Sequence, residues 1–150
     1  MPHSFSNLLV HLIFSTRQRE RQIDEELKGR LCAYLGGTTH QCSGFPVQIN
    51  AVPDHVHMLV QLAPTICLAD FVRLVKSNSA KWVHETFSEK HAFGWQTGYA
   101  AFSVSESNRE AVVRYIREQE VHHRRLSFQE ELLRYLKRNR IPFDERFIWK

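Results

Sequence analysis

Cysteine is scarce in this chain and poorly placed for pairing. Cys32, Cys42 and Cys67 are odd in number, widely spaced, and form no C-x-x-C couple. That excludes a disulfide framework and reads as buried thiols in a reducing cytoplasm. Glycine (6) and proline (5) are few among 150 residues, which excludes collagen-like and low-complexity chains. No apolar run approaches the roughly 18–20 residues of a membrane span. The opening Met1-Pro2-His3-Ser4-Phe5-Ser6-Asn7 puts no basic region ahead of its short apolar stretch, so no secretory signal is expected. No G-x-x-x-x-G-K-[ST] loop is present, and nothing calls for ATP.

What is there fits one domain, 1–150, with no internal repeat or linker. At 43% hydrophobic and 24% charged residues the chain can build a real core. Its formal charge of +4 is unevenly spread. Residues 1–106 are neutral, with nine basic and nine acidic side chains, whereas 107–150 carry eleven against seven. The densest basic stretch runs from Arg114 to Arg140 and includes Arg117, His123, Arg124 and Arg125. Such a third suits a polyanion, or is simply a solvated helix face.

Asn7–Phe14 is a short apolar run of strand character. Ile23, Leu27, Leu31, Tyr34 and Leu35 then recur at helical spacing up to a break at Gly36-Gly37. Pro46–Val52 and His55–Leu62 read as a hairpin around Pro53-Asp54. A long helix opens at Pro64-Thr65, with Arg73, Lys76, Ser77, Lys81 and His84 on its polar face. Tyr99–Ser105 reads as a fourth strand. Ser107-Asn108-Arg109-Glu110 and Ser127-Phe128-Gln129-Glu130 are two capping-box signatures, starting a helix to about Arg125 and a last short one. The apolar tail, Ile141 to Trp149, is expected to dock. The order β-α-β-β-α-β predicts an α+β, ferredoxin-like fold: a four-stranded antiparallel sheet, two helices on one face, and added C-terminal helices. The parts are a core over 1–106, a helix over 107–126 bearing Tyr115, and a short helix and tail over 127–150.

Chemistry concentrates in Asp54-His55-Val56-His57-Met58-Leu59. On a strand, residues i and i+2 share a face, so His55 and His57 stand side by side while Val56, Met58 and Val60 enter the core. Two imidazoles on a rigid strand are half of a metal site, or two hydrogen-bonded histidines that happen to alternate. Tyr115 and Gln119, four apart on a helix, share its face; alone, Tyr115 reads as a core residue. His11 interrupts an apolar strand that neighbours the pair; it either helps position a ligand or is a satisfied core histidine. Asp54 either orients an imidazole or serves the turn beside Pro53. Tyr99, Phe93, Trp95 and His84 can stack on bases, whereas Trp82 and Trp149 read as core.

Five segments in this order resemble the single-strand DNA tyrosine transposases of the HUH nuclease superfamily, which include small insertion-sequence and REP-associated enzymes. They are His11-Leu12-Ile13-Phe14-Ser15-Thr16-Arg17, the Asp54–His57 core, the Lys76-Ser77 helix, Trp95-Gln96 with Phe102–Ser105, and the Tyr115 helix. The resemblance implies His55, His57 and Gln119 as ligands of a divalent cation and Tyr115 as the single nucleophile. It implies cleavage and rejoining of single-stranded DNA through a 5′-phosphotyrosine, hairpin ends as substrate, and a homodimer whose tyrosine helix can act in trans. His122 and His123 follow Gln119 closely, with His123 one turn beyond it, and either is positioned to supplement or replace a ligand. Imidazole and amide-oxygen ligation with open positions suits Mg²⁺ or Mn²⁺ better than structural zinc. Arg73, Lys76, Ser77, Lys81, Arg117, Arg124 and Arg125 are the candidates for DNA contact. Two other readings share these residues: a noncatalytic ferredoxin-like nucleic-acid-binding module with Tyr115 merely packed, and a small-molecule metalloenzyme that uses the His pair without Tyr115.

Overall fold

Two strands, β1 (Leu8–Ser15) and β3 (His55–Leu62), are covered on both faces and form the centre of the sheet. The computed structural model describes residues 4–149. β1 pairs antiparallel with β3, from Leu8 opposite Leu62 to Ser15 opposite His55. β2 (Phe45–Val52) and β4 (Ala100–Ser103) form the edges, giving the all-antiparallel order β2-β3-β1-β4 of the ferredoxin-like arrangement. Pro46 and the irregularity between Pro46 and Gln48 sit on edge strand β2, where a missing N–H breaks no inner ladder.

The pleat sorts side chains between two cores. Leu12, Phe14, Val56, Met58 and Val60 face α1 (Glu25–Gln41) and α2 (Leu68–Thr86), meeting Leu27, Leu31, Leu35, Phe71, Val72, Val75 and Val83. The opposite face carries Leu9, His11, Ile13, His55, His57 and Leu59. It is covered by α3 (Arg109–Arg117), α4 (Gln119–His122) and α5 (Phe128–Arg138), through Ile116 on one side and Phe128 and Leu136 on the other. The C-terminal helices therefore form a second layer, which is why β1 and β3 are apolar almost throughout. The tail docks as expected, with Ile148 and Trp149 packed beside Phe128 and Leu136.

Local differences from the sequence reading have identifiable causes. α1 runs through Gly36-Gly37 because its inward stripe continues into Thr38 and Thr39, both buried. Their hydroxyls donate to the carbonyls of Tyr34 and Leu35. The helix stops instead at Ser43-Gly44, where Ser43 has φ +62° and a Cβ on Gly44 would lie 2.8 Å from the Gln61 carbonyl. α2 begins at Leu68 rather than Pro64, and β4 ends at Ser103 rather than Ser105. The Tyr115 helix is not continuous to Arg125. It breaks at Glu118 (φ −98°, ψ 25°), where the Asn50 side chain on β2 donates to the Ile116 carbonyl at 2.8 Å and also reaches that of Arg117. Among the described residues, no helix is long and apolar enough to cross a membrane.

Only one capping signature becomes a cap. Ser127 and Glu130 form both reciprocal bonds at the start of α5, whereas Ser107 pairs with Ser105 and Asn108 precedes α3 without a side-chain cap. Replacing Ser127 by Ala is expected to cost about 0.5–2 kcal/mol in urea unfolding. Ser107→Ala should stay within about 0.5 kcal/mol. Equal losses would contradict this assignment.

Candidate metal centre and tyrosine site

His55 and His57 lie on the sheet face covered by α3–α5, both at 0% exposure. Each has its outer nitrogen engaged. His55 Nδ1 lies 2.7 Å from Asp54 Oδ1, and His57 Nδ1 lies 2.7 Å from His11 Nε2. The adjacency of β1 and β3 thus turns the lone strand histidine into a support for its neighbour, and the turn acid into an anchor for His55. Such partners fix ring orientation and leave the Nε2 atoms facing inward.

The inward nitrogens meet a carboxylate. Glu131, on the buried face of α5 and 1% exposed, places Oε1 2.9 Å from His57 Nε2, 3.5 Å from His55 Nε2 and 3.2 Å from His123 Nε2. The His55 and His123 Nε2 atoms are 3.1 Å apart. These four residues offer donor atoms all within 4.8 Å of one another, a set able to hold a metal ion. The second oxygen of Glu131 accepts a hydrogen bond from the Tyr115 hydroxyl. Tyr115 is half-buried, with its ring stacked on His122 at 4.4 Å and 6.0 Å from that of His57. One carboxylate therefore links the imidazole cluster to the phenol within a single chain.

Gln119 is fully buried but turns its amide toward the tyrosine. Its Nε2 lies 3.4 Å from the Tyr115 carbonyl, and its Oε1 has no hydrogen-bond partner. A buried, unpartnered oxygen is costly in an apolar setting, so Gln119 Oε1 is free to accept from, or ligate, a further group. His122 Nε2 is likewise buried and unpartnered.

Burial and the carboxylate set the local electrostatics. Burial pushes His57 down to about 4 against the pull of Glu131, and it holds His11 well below the ordinary imidazole value. Burial acts the same way on His55, but hydrogen bonds with Asp54 and Glu131 outweigh it and raise the group. Burial favours neutral Glu131, yet hydrogen bonds with His123, His55 and His57 hold its carboxyl well below the carboxylate range. Burial, then the Glu131 charge, raises the Tyr115 phenol well above its ordinary value.

The basic candidates divide between two surfaces. Arg73 and Lys81 are exposed on α2, across the sheet from the imidazoles, near Asp70 and Glu85 respectively. Lys76 donates to the carbonyls of Gln96 and Gly98 at 2.6 Å, and Ser77 to that of Arg73 at 2.7 Å. On the tyrosine side, an open groove of about 930 Å³ is bordered by Arg125, Arg134 and Arg138 and floored by His11, Tyr115, Glu131 and Tyr135. Arg117 and Arg124 are exposed outside that lining. Trp95 donates to Ser79 and meets Phe14 and Phe93 edge-on, so Trp95 and Phe93 pack, while Tyr99 is exposed.

The family model for IS200-like transposases matches residues 4–119. The chain belongs to this family. Among curated proteins, the transposase is 29% identical over 117 residues to the ISDra2 transposase TnpA of Deinococcus radiodurans, covering 75% of this chain and 84% of that one. Among solved structures, it is similar to a candidate transposase from Deinococcus radiodurans R1, with TM-score 0.66, 27% identity, and 79% and 95% of the two chains covered. It shares the fold of a REP-associated tyrosine transposase bound to a REP hairpin, at TM-score 0.58 and 15% identity over 82% and 72% of the chains. The family match takes in His55, His57, Tyr115 and Gln119 and stops short of His123 and Glu131. Sequence reasoning flagged His123 but missed Glu131. The available signal was an acid three residues after Phe128 and four before Tyr135, on the inward stripe of a short amphipathic helix.

Acid should weaken the transposase. An imidazole whose folded pKa lies below its unfolded value of about 6.5 contributes fully above that pH and loses its contribution as pH falls. For His57 the loss extends down to about 4, and His11 acts in the same direction. His55, raised on folding, opposes them. Thermal midpoints of the chelator-treated protein should therefore fall between pH 7 and pH 4; a rise over that window would contradict the buried, neutral imidazoles.

Proposed function

We propose that this transposase cleaves and rejoins single-stranded DNA through Tyr115, aided by a divalent cation held at the imidazole cluster. The observation that carries the reading is the Tyr115 hydroxyl, held by Glu131 beside His57 at the floor of a basic groove. His55, His57 and Gln119, with His123 and Glu131 beside the pair, would hold a Mg²⁺ or Mn²⁺ ion, which would supply Lewis-acid polarisation of the scissile phosphate and neutralise charge developing there. The unpartnered Gln119 oxygen and the clustered nitrogens fit that role.

The chain's own residues do the rest. His11 and Asp54 fix the ring planes of His57 and His55. Tyr115 Oη attacks phosphorus in line, and its proton passes to the oxygen that already accepts it, Glu131 Oε2. The P–O3′ bond breaks, the 3′-oxygen takes up a proton and leaves as a hydroxyl, and a 5′-phosphotyrosine remains. Attack by another 3′-hydroxyl reverses these steps, exchanging one phosphodiester for another without an external energy source.

For substrate, we propose a strand carrying a hairpin, as the family resemblance implies and as the REP-hairpin-bound neighbour illustrates for itself. The groove with Arg125, Arg134 and Arg138 takes the single strand at Tyr115, while Arg73 and Lys81 on the far face are available to a duplex stem. That Tyr115 and His57 meet within one chain supports a nucleophile acting in cis, in place of the trans arrangement within a homodimer that the resemblance implies.

Denaturing gels of a 5′-labelled or 3′-labelled strand give the direct test. A covalent adduct that retains the label 3′ of the cut should form with Mn²⁺ and wild-type protein, and vanish with Tyr115→Phe or without metal. No wild-type adduct under any divalent metal would leave a binding module. Mixed His57→Ala and Tyr115→Phe chains should stay inactive; regained cleavage would place the tyrosine in trans.

Salt dependence tests the groove. The slope of log affinity against log salt for an unstructured strand should fall by about 0.7 for each of Arg125, Arg134 and Arg138 replaced by Ala. Arg73→Ala and Lys81→Ala should alter only binding of a hairpin-bearing strand. Unchanged slopes for the groove variants would move the strand elsewhere.

A further inference from the structure

The helix that carries Tyr115 has little of its own to fix its angle. α3 is nine residues long, starts without a side-chain cap, and ends at the Glu118 break. A helix that short depends on outside contacts. Asn50, on edge strand β2, supplies one at the break. Its Oδ1 accepts from the Ala51 N–H at 2.9 Å, which fixes the orientation of the amide. Its Nδ2 then lies 2.8 Å from the Ile116 carbonyl, 3.3 Å from that of Arg117 and 3.4 Å from Glu120 Oε2. The other oxygen of Glu120 accepts from the Lys28 ammonium. Lys28 belongs to α1, which lies against the opposite face of the sheet. The Lys28–Glu120 pair, 92 positions apart in sequence, therefore reaches from one helical layer to the other over the β2 edge. None of these three residues borders the groove at Tyr115 or belongs to the imidazole–carboxylate cluster.

We propose that Lys28, Glu120 and Asn50 form a clasp that sets the angle of the tyrosine helix and so positions the Tyr115 hydroxyl for attack. They are positioning residues, acting through the helix and touching no part of the strand. The clasp stands on contacts within the protein; its effect on rate rests on the reading of Tyr115 as the nucleophile. Magnitudes separate this role from simple stabilisation. An ion pair whose side chains are 25% and 44% exposed adds little to folding stability. A displacement of about 1 Å at a reacting atom, by contrast, costs up to about 10²-fold in rate. Shielding of the open β2 edge alone would use the same contacts and leave the phenol unmoved.

Charge exchange in the full-length chain tests the clasp. Lys28→Glu and Glu120→Lys each set like charges against one another, whereas the double variant restores an attracting pair at the net charge of the wild type. Without DNA, NMR of protein carrying ring-labelled tyrosine should show the Tyr115 signal, assigned by its loss in Tyr115→Phe, displaced in both single variants. It should return in the double variant, with the Tyr99 signal unmoved throughout. At saturating strand and Mn²⁺, the rate of adduct formation should fall at least about tenfold in each single variant and in Asn50→Ala. The double variant and Lys28→Arg should recover to within about threefold of wild type. Strand affinity of the double variant and of Asn50→Ala should stay within about twofold of wild type. Circular dichroism checks each fold; if Asn50→Ala does not fold, the partly exposed charge pair decides. A Tyr115 signal indifferent to the single variants, a rate not regained in the double variant, or affinity lost in step with rate would overturn the clasp. If wild type forms no adduct, strand transfer fails as a reading and the Tyr115 signal alone decides the clasp.

Discussion

The Glu131 carboxylate is the constraint around which the rest of the structure is arranged. A buried anion in a protein interior is tolerated only when its oxygens are satisfied. Here one oxygen faces His55, His57 and His123, and the other accepts from Tyr115. Every element of the C-terminal layer contributes to that arrangement. α3 brings the phenol, the turn after α4 brings His123, and α5, started by a formed capping box, brings the acid. Removal of any one partner leaves the others with buried polar groups unpaired, so packing of the layer and assembly of the site are the same process.

The sheet makes this possible by having two covered faces. One face is an ordinary apolar core against α1 and α2. On the other, polar residues interrupt the apolar contacts at His11, His55 and His57, and the interruption divides the packing into a cluster around Leu9, Leu59 and Ile116 and another around Ile13, Phe102 and Phe128. The imidazoles occupy the gap between these two clusters. Rigid central strands hold the histidines with little ordering cost, whereas the acid and the phenol arrive on short helices joined by turns. The break at Glu118, with Asn50 satisfying the carbonyls it exposes, is what allows Tyr115 and Gln119 to remain near one another while the chain bends toward α5.

Much of this was legible in the amino-acid order. The alternation in His55-Val56-His57-Met58 fixes which side chains share a face, because the strand period is two. Element order gave the ferredoxin-like sheet, and the proximity of His11 followed from β1 and β3 being neighbours. What was not legible depends on tertiary partners. Gly36-Gly37 signals a stop, yet buried Thr38 and Thr39 carry the helix onward. Ser107 has the spacing of a cap, but its hydroxyl finds Ser105. Glu131 looks like a second first-turn acid beside Glu130, the kind commonly placed to favour a helix dipole. Its place on the apolar stripe with Phe128 and Leu136 marks it as inward-facing, but only the docking of α5 on the sheet shows that the stripe meets the imidazoles.

The burial of the cluster also decides how a substrate must approach. His55 and His57 have no accessible surface, and Glu131 has almost none, so a phosphate cannot meet them from solvent across the sheet. Tyr115 is the half-buried member, and it borders the groove that Arg125, Arg134 and Arg138 line. For the strand substrate proposed above, approach along that groove would bring a backbone phosphate first to guanidinium groups, then to the phenol, and last to the imidazoles. This order is chemically sensible, because the guanidinium charges favour the polyanion before any buried group loses its partner. Burial first, and then the charge of the Glu131 carboxylate beside it, raise the Tyr115 phenol well above its ordinary value, so the group that borders the groove stays protonated there.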